Sequence, residues 1–474
     1  MSDQAHPTTK ALAGVRSVHI VGIGGAGMSA IATVLEGMGY RVSGSDMKSS
    51  PLLRRLRATG VEVSIGHDPR NVQGADLVTA STAVKDSNPE LVEARRRGLP
   101  VMSRAAVLSA IASSRRCIAV SGTHGKTTTT SMLALVLVEA GLHPAFLIGG
   151  DVNEIGTNAV WDSGEWLVVE ADESDGTFLE LAPEVAVVTN VEPDHLDYYG
   201  SFEALVGAFE SFCSSARYRL VAGADNEVSA GLAARHGGVL VGTSERATYR
   251  IEGLVTGSSG TRFDIQRDGA LLGSLSLAVP GAHNARNAAL AAASAMEIGV
   301  PFEAAERALA RFAGVARRFE ARGELAGARF VDDYAHLPGE VEAAIATARA
   351  CEPDGRIVAV FQPHRYSRTA ALHESFGHAF GGVDVLLVTD VYAAGETPVP
   401  GVTGRLVAEA VANAHPEVAV AYVPSRAKLV EELLSLLVAG DLCLTLGAGD
   451  ITSLAEEVVA VAGEGDGPGE GSTP

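Results

Sequence analysis

Lysine is scarce in this chain. Of 37 basic residues only five are lysines: Lys10, Lys48, Lys85, Lys126 and Lys428. The formal net charge is −20. Such a balance offers no broad basic surface to a phosphate backbone and excludes a nucleic-acid partner. Any anionic substrate must be met by cations concentrated at its site. Cysteine is rarer still. Cys117, Cys213, Cys351 and Cys443 lie far apart without metal or redox spacing, which predicts reduced thiols in a cytoplasmic protein. No apolar run approaches the ~18 residues of a membrane span, so no membrane insertion is expected. Residues 1–10 are polar and lack the apolar stretch of a secretory signal. Residues 463–474 are rich in Gly and acids and are expected to form a disordered tail. The remainder has the apolar content of a globular protein, 47% of all residues. At 474 residues it exceeds one core, and two to four domains are expected.

The stretch that organises the chain contains Lys126, which stands alone among residues 86–427. Cys117-Ile118-Ala119-Val120 reads as a buried strand. Gly122-Thr123-His124-Gly125-Lys126-Thr127-Thr128 follows it, and a helix-forming run ends at Gly141. Strand, glycine-rich turn and helix are what a phosphate-binding loop requires. Backbone amides and the helix N-terminus would cradle phosphate oxygens. Lys126 would reach the terminal phosphates, and the Thr127 hydroxyl would sit on Mg²⁺. The loop is shorter than the usual pattern. Val120 stands where the first glycine is normally found, and Gly122 lies three residues before Gly125.

A second phosphate-binding pattern precedes it. Gly22-Ile23-Gly24-Gly25-Ala26-Gly27-Met28-Ser29 joins a strand to a helix, and a second strand ends on Asp46, nineteen residues past Gly27. This layout binds dinucleotides and other diphosphates. Two such turns imply two phosphorylated ligands, which separates this chain from a simple dehydrogenase.

Further along, Trp166-Leu167-Val168-Val169-Glu170 is an apolar strand ending in acids, where a phosphate-loop protein places its metal carboxylate. Val185-Ala186-Val187-Val188 is another strand, leading to Asp194 and His195. Residues 216–280 read as antiparallel strands inserted into a parallel fold. Asn284 and Asn287 share a face of an Ala-rich helix. Beyond residue 318, apolar runs repeatedly end in polar clusters: Asp332 to His336, Gln362 to Arg368, Thr389 to Tyr392, and Gly447 to Asp450. Polar groups at strand C-termini line the crevice of an open α/β sheet. Arg365 and Arg368 could clamp a carboxylate.

Taken in order, these motifs resemble the Mur ligases of peptidoglycan synthesis. The carriers include Gly122-Thr123-His124-Gly125-Lys126-Thr127, Glu170-Ala171-Asp172-Glu173-Ser174-Asp175, Glu192-Pro193-Asp194-His195, Asp332-Asp333-Tyr334-Ala335-His336 and Gly447-Ala448-Gly449-Asp450-Ile451. The family usually reads His-His-Pro where this chain has His336-Leu337-Pro338. The resemblance implies an α/β, three-domain architecture. A Rossmann-like domain at 1–108 would bind a UDP-sugar, a central P-loop ATPase-like domain at 109–318 would bind ATP, and a Rossmann-like α/β domain at 319–462 would bind the amino acid. It also implies a reaction. The lactyl carboxylate of UDP-N-acetylmuramate attacks the γ-phosphate, and the amine of L-alanine attacks the resulting acyl phosphate.

By the same resemblance Lys126, Glu170 and His195 are catalytic, with Thr127, Glu170 and His195 holding Mg²⁺ or Mn²⁺. Gly122, Thr123, His124, Gly125, Lys126, Thr127, Thr128, Asn284, Asn287, Arg318 and Asp332 would contact ATP. The turn at Gly22, Gly24, Gly25, Ala26, Gly27, Met28 and Ser29, with Asp46 and Ser81, would take the UDP-sugar. Tyr334, His336, His364, Arg365 and Arg368 would take L-alanine. A monomer or homodimer is expected. Two other classes account for less. A nicotinamide oxidoreductase uses Gly22 to Asp46 and leaves Lys126 idle. A nucleotide switch uses Lys126 and leaves Arg365 and Arg368 idle. Within the family, the enzyme that attaches a recycled peptide to the same UDP-sugar is the alternative ligase.

Overall fold

The computed structural model of the protein describes residues 12–152 and 155–465. Residues 1–10 and the part of the expected disordered tail at 466–474 lie outside them. Residues 463–465 belong to the last helix, Leu454–Gly465. The chain forms two compact units. One comprises Met1–Leu254, Arg262–Leu277 and Asn284–Ala313; the other comprises Val255–Thr261, Ala278–His283 and Gly314–Pro474.

The first sheet has five parallel strands in the order Glu62–Ile65, Arg41–Asp46, Ser17–Val21, Leu77–Ala80, Val101–Ser103. The strand Ser17–Val21 is buried along its whole length. Strand order reverses beside it, which opens a crevice at the strand C-termini where Gly22 begins its turn.

A buried polar network braces that turn. Glu90 is wholly buried, accepts hydrogen bonds from Ser45 Oγ and Asn71 Nδ2 at 2.5 Å each, and lies 3.3 Å from His67 Nδ1 and 3.6 Å from His19 Nε2. The carbonyl of Ser45 in turn accepts the amides of Gly22 and Ile23. Burial alone would raise the Glu90 carboxyl, but the neighbouring His19 and the hydrogen bonds from Ser45 and Asn71 outweigh it and bring it down to about 2. Glu90→Gln should therefore cost roughly 3 kcal/mol of stability at pH 7. The ordinary value is 4.5, so this contribution is complete above pH 4.5 and fades as pH falls toward 2. Urea titrations of both proteins at pH 7 and 3.5 check this. A gap that fails to narrow at the lower pH would contradict it.

The second sheet has ten strands. At its centre Arg116–Ser121 lies parallel to both Val185–Val188 and Trp166–Glu170. All three therefore end at one edge, beside the loop that begins at Gly122. The expectation of antiparallel strands over 216–280 needs correction. Arg219–Gly223 and Val239–Gly242 are parallel, joined by the helix Glu227–His236. Asn226 caps that helix, its side chain accepting from Ser229 N, and Gly237 ends it in the left-handed region. Only the strands Tyr249–Gly257, Gly260–Arg267 and Ala270–Leu277 follow one another through two-residue turns, a connection open to antiparallel neighbours alone.

In the other unit, a six-stranded sheet runs Glu320–Leu325, Ala328–Asp333, Leu442–Leu446, Ile357–Phe361, Val385–Val388, Ala419–Tyr422. Its first pair is antiparallel and the rest are parallel. The central strands Leu442–Leu446 and Ile357–Phe361 are fully buried, so their apolar runs end where the polar clusters begin. Among the described residues no helix is long and apolar enough to cross a membrane. Cys117, Cys213 and Cys443 are buried free thiols, and burial raises the pKa of all three.

Candidate functional site

The loop after Arg116–Ser121 is shaped by two glycines with positive φ, Gly122 at 135° and Gly125 at 79°. Asn190 and Thr189, at the end of the neighbouring strand, grip it. His124 N donates to Asn190 Oδ1 at 2.9 Å, and His124 O accepts from Thr189 Oγ1 at 2.6 Å. Thr123 Oγ1 accepts the amide of Glu192 at 2.8 Å, and His124 Nε2 lies 3.1 Å from Glu192 Oε2. From Gly125 the helix Lys126–Glu139 departs, with Thr128 buried on its inner side. Asn287 Oδ1 accepts from Thr129 Oγ1 at 3.3 Å, and a Cβ on Gly125 would lie 2.4 Å from it. Asn284 is buried on the same helix, Ala282–Glu297. It lies inside the helix rather than at its cap.

Lys126 Nζ donates to Glu173 Oε1 at 2.8 Å and to the carbonyls of Gly122 and Thr123 at 2.6 and 3.2 Å. Burial works against its charge, but Glu173 and Asp172 hold its pKa above the ordinary value. Burial also pushes Glu173 up to about 7, against the pull of Lys126. Glu173 Oε2 is buried without a hydrogen-bond partner among the described residues. The motif Glu170 to Asp175 contains Glu173 but does not by itself give it a role. Its place three residues past Glu170, behind the same strand, was the available signal.

Glu170 Oε1 accepts from Thr127 Oγ1 at 3.0 Å, and its Oε2 accepts from Gly149 N at 2.7 Å. Burial raises its pKa. His195 adopts a left-handed backbone, φ 53°, and its Nε2 lies 3.1 Å from Asp194 Oδ2 and 3.9 Å from Glu173 Oε1. Among the described residues no three His, Cys, Asp or Glu side chains form a metal-binding group. Mg²⁺ commonly takes one or two protein oxygens and completes its shell with phosphates and water. The juxtaposed Thr127 and Glu170 oxygens fit that share.

At the first turn, Gly22 has φ 78°, and a Cβ there would press within 3.1 Å of Ser81 Cβ. Asp46 Oδ2 accepts Gly24 N at 2.9 Å. Ala26 begins the helix Ala26–Gly37, with Gly25 as its N-cap and no side-chain cap. Met28 and Ser29 are buried, and Ser29 Oγ donates to Ala26 O. These two side chains shape the turn from behind.

In the second unit, Asp332 is wholly buried. Thr445 donates to its Oδ1 at 2.8 Å, and Thr452 and Arg317 donate to its Oδ2 at 2.7 and 3.3 Å. Arg317, with φ 62°, also donates to the carbonyls of Gly447 and Gly449. Asp332 thus fixes Arg317, while Arg318 lies 3.8 Å from Glu340. The expected alanine residues gather nearby. The rings of Tyr334, His336, His364 and Tyr392 follow one another at centroid distances of 5.3, 5.6 and 5.7 Å. Arg368 donates to His364 Nδ1 at 3.0 Å. Burial, then the charges of His336, Arg368 and Arg365, lower His364 to about 4, so it accepts as a neutral ring. Arg365, φ 70°, is tied by its amide to Tyr392 O. Leu337 is buried and precedes the helix Pro338–Cys351, its amide donating to Glu340.

Three sequence models of one family match the chain in order. "Mur ligase family, catalytic domain" matches residues 17–116, "Mur ligase middle domain" 120–295, and "Mur ligase, glutamate ligase domain" 317–449. The chain belongs to the Mur ligase family. Among its relatives, UDP-N-acetylmuramate–L-alanine ligase of Kineococcus radiotolerans is 47% identical over 471 residues, 97% of this chain and 99% of that protein. The crystal structure of UDP-N-acetylmuramate-alanine ligase MurC from Thermotoga maritima is similar with a TM-score of 0.79 at 29% identity, covering 95% of this chain and all of that one. A murein peptide ligase from Psychrobacter arcticus is similar with a TM-score of 0.68 at 25% identity, covering 94% and 99%. The α/β Mur ligase fold expected from the motifs is thus established, and the Lys126 loop falls in the part matched as the middle domain.

Proposed function

We propose that this chain is an ATP-dependent ligase that joins L-alanine to the lactyl carboxylate of UDP-N-acetylmuramate in peptidoglycan precursor synthesis. The observation that carries this is the convergence of Lys126, Thr127 and Glu170 at one phosphate loop, within a chain nearly half identical to ligases of that name over almost its whole length. A carboxylate oxygen attacks the γ-phosphorus, and ADP leaves. The alanine amine then attacks the acyl carbon, inorganic phosphate leaves and the amine loses a proton. Both reactants in the first step are anions, so the step needs a fixed cation. Lys126 is that cation, and Glu173 and Asp172 keep it charged. Thr127 and Glu170 would hold Mg²⁺ or Mn²⁺, with His195, which lies against Asp194 and Glu173, as the further ligand the family resemblance implies. Bound there, the metal would neutralise developing phosphoryl charge. Arg365 and Arg368 would meet the alanine carboxylate, and neutral His364 orients Arg368. The enzyme would work in the cytoplasm, where its nucleotide substrates are made.

The deciding assay is phosphate release from ATP and UDP-N-acetylmuramate with either L-alanine or a tripeptide as acceptor. Turnover with L-alanine is expected. Turnover with the tripeptide alone would assign the chain to the peptide ligases. Glycine and L-serine should be poor but measurable acceptors, because a methyl or hydroxyl group discriminates by only ~1–3 kcal/mol.

A further inference from the structure

Glu396 belongs to none of the polar clusters at the strand ends, yet it closes on the segment that carries Arg365 and Arg368. The chain leaves the strand Val385–Val388 and passes alongside that segment. Tyr392 N donates to Pro363 O, and Tyr392 O accepts Arg365 N, both at 2.8 Å. The Tyr392 ring stacks on His364 with an interplanar angle of 11°. Ala394 and Gly395 then turn the chain back, with φ of 48° and 88°. The turn returns Glu396 to Ser367. Its Oε2 accepts Ser367 N at 3.0 Å, and its Oε1 accepts Ser367 Oγ at 2.6 Å.

What this clasp holds is strained. Arg365 has φ 70° and ψ 138°, near a region populated essentially by glycine. Such backbone is costly for a residue with a side chain and persists only where its surroundings over-determine it. Here Tyr392 grips Arg365 on one side, and Glu396 grips Ser367 on the other. Arg365 is also the N-cap of the helix Tyr366–Ala379, which has no side-chain cap of its own and no acid in its first turn. Glu396 brings a carboxylate to that end from another part of the chain, where negative charge is favoured. Burial works against its charge, but Ser367, the backbone of Tyr366 and the charge of Arg365 outweigh it and hold its pKa below the ordinary value. Arg368 lies one residue beyond Ser367 in the same turn of helix.

We propose that Glu396 is a positioning residue of the amino-acid pocket: by clamping Ser367 it holds Arg365 in its strained backbone and sets both guanidinium groups for the carboxylate of the incoming amino acid. This rests on reading Arg365 and Arg368 as that carboxylate's clamp. Without Glu396, Arg365 is released toward an ordinary φ, and the root of its side chain turns with it. Paired hydrogen bonds between guanidinium and carboxylate depend on geometry as well as charge. The loss therefore falls on amino-acid binding and spares the Lys126 loop, which lies on another sheet.

Steady-state kinetics of the full-length protein, with each substrate varied in turn, tests this. Glu396→Ala should raise the KM for L-alanine at least roughly fivefold. The KM values for ATP and UDP-N-acetylmuramate should stay near wild type, a split that general loss of structure would not give. Glu396→Gln keeps an acceptor for the Ser367 amide and should recover part of the loss. Ser367→Ala should move the same KM in the same direction. Combined with Glu396→Ala it should add little, because both act through one contact. If Glu396→Ala fails to fold, the Ser367 variant must still show the selective rise. An unchanged KM for L-alanine, equal rises in all three KM values, or fully additive effects of the two substitutions would overturn the proposal. Arg368→Ala separates that result from failure of the underlying reading. If it too leaves the KM for L-alanine unchanged, the arginines do not hold the amino acid and the pocket lies elsewhere.

Discussion

Lys126→Ala should reduce turnover by at least roughly 10²-fold, ~3 kcal/mol of barrier, while leaving UDP-N-acetylmuramate affinity near normal. The two effects separate because the glycine turn at Gly22 lies on a different sheet from the Lys126 loop. A stability cost is expected as well. Glu173 is buried, and losing Lys126 leaves its carboxylate without the cation 2.8 Å away. Breaking such a pair typically costs about 3–5 kcal/mol. Adding Glu173→Gln to Lys126→Ala should restore much of the melting temperature and none of the activity. That combination distinguishes a catalytic cation from a merely structural one. Phosphate-release rates with thermal melts check both. Near-wild-type turnover in the single variant would remove Lys126 from the mechanism.

Much of this was legible because it is local in sequence. Gly24, Gly25 and Gly27 beside a strand, or Gly125-Lys126-Thr127 opening a helix, are patterns that backbone geometry itself demands. The strand ends at Glu170, Asp332 and Gln362 were visible as apolar runs stopping at polar residues. What escaped depends on side chains meeting across the fold. Glu173 reaches Lys126 over 47 positions, and Arg104, the first residue of the helix Arg104–Ala112, reaches Gly27. Spacing rules do not encode such contacts. The error over 216–280 has a different origin. Frequent glycines read as turns between short strands, and Asn226 capping a helix closed by Gly237 is a shorter signal among them. Asp332 shows a third limit. A carboxylate at a strand end does not announce its partners, and here Thr445, Thr452 and Arg317 meet its two oxygens from distant parts of the sequence.

Gly122 explains how a loop shorter than the usual pattern can still form, and it carries the second large expected effect. Its φ of 135° is one that side-chain-bearing residues rarely adopt. A Cβ there would lie 2.0 Å from Thr189 Oγ1 and 2.9 and 3.0 Å from the backbone of Asn190. Thr189 and Asn190 both hold His124, so neither can yield without releasing it. The loop instead must move, and with it the carbonyl of Gly122 that holds Lys126. Gly122→Ala should therefore cost ~1–3 kcal/mol from backbone strain, with the overlap in addition. Activity should fall by at least roughly 10²-fold, because small displacements at a reacting phosphoryl group are severe. Gly141→Ala is the control. It also has positive φ, 71°, but a Cβ there meets nothing within 4 Å. It should lose roughly 1 kcal/mol of stability and keep its turnover. Comparing kcat and melting temperature across the two variants isolates the loop from general glycine effects. An active Gly122→Ala protein, or equal losses in both, would show that the short loop does not depend on this contact with Thr189 and Asn190.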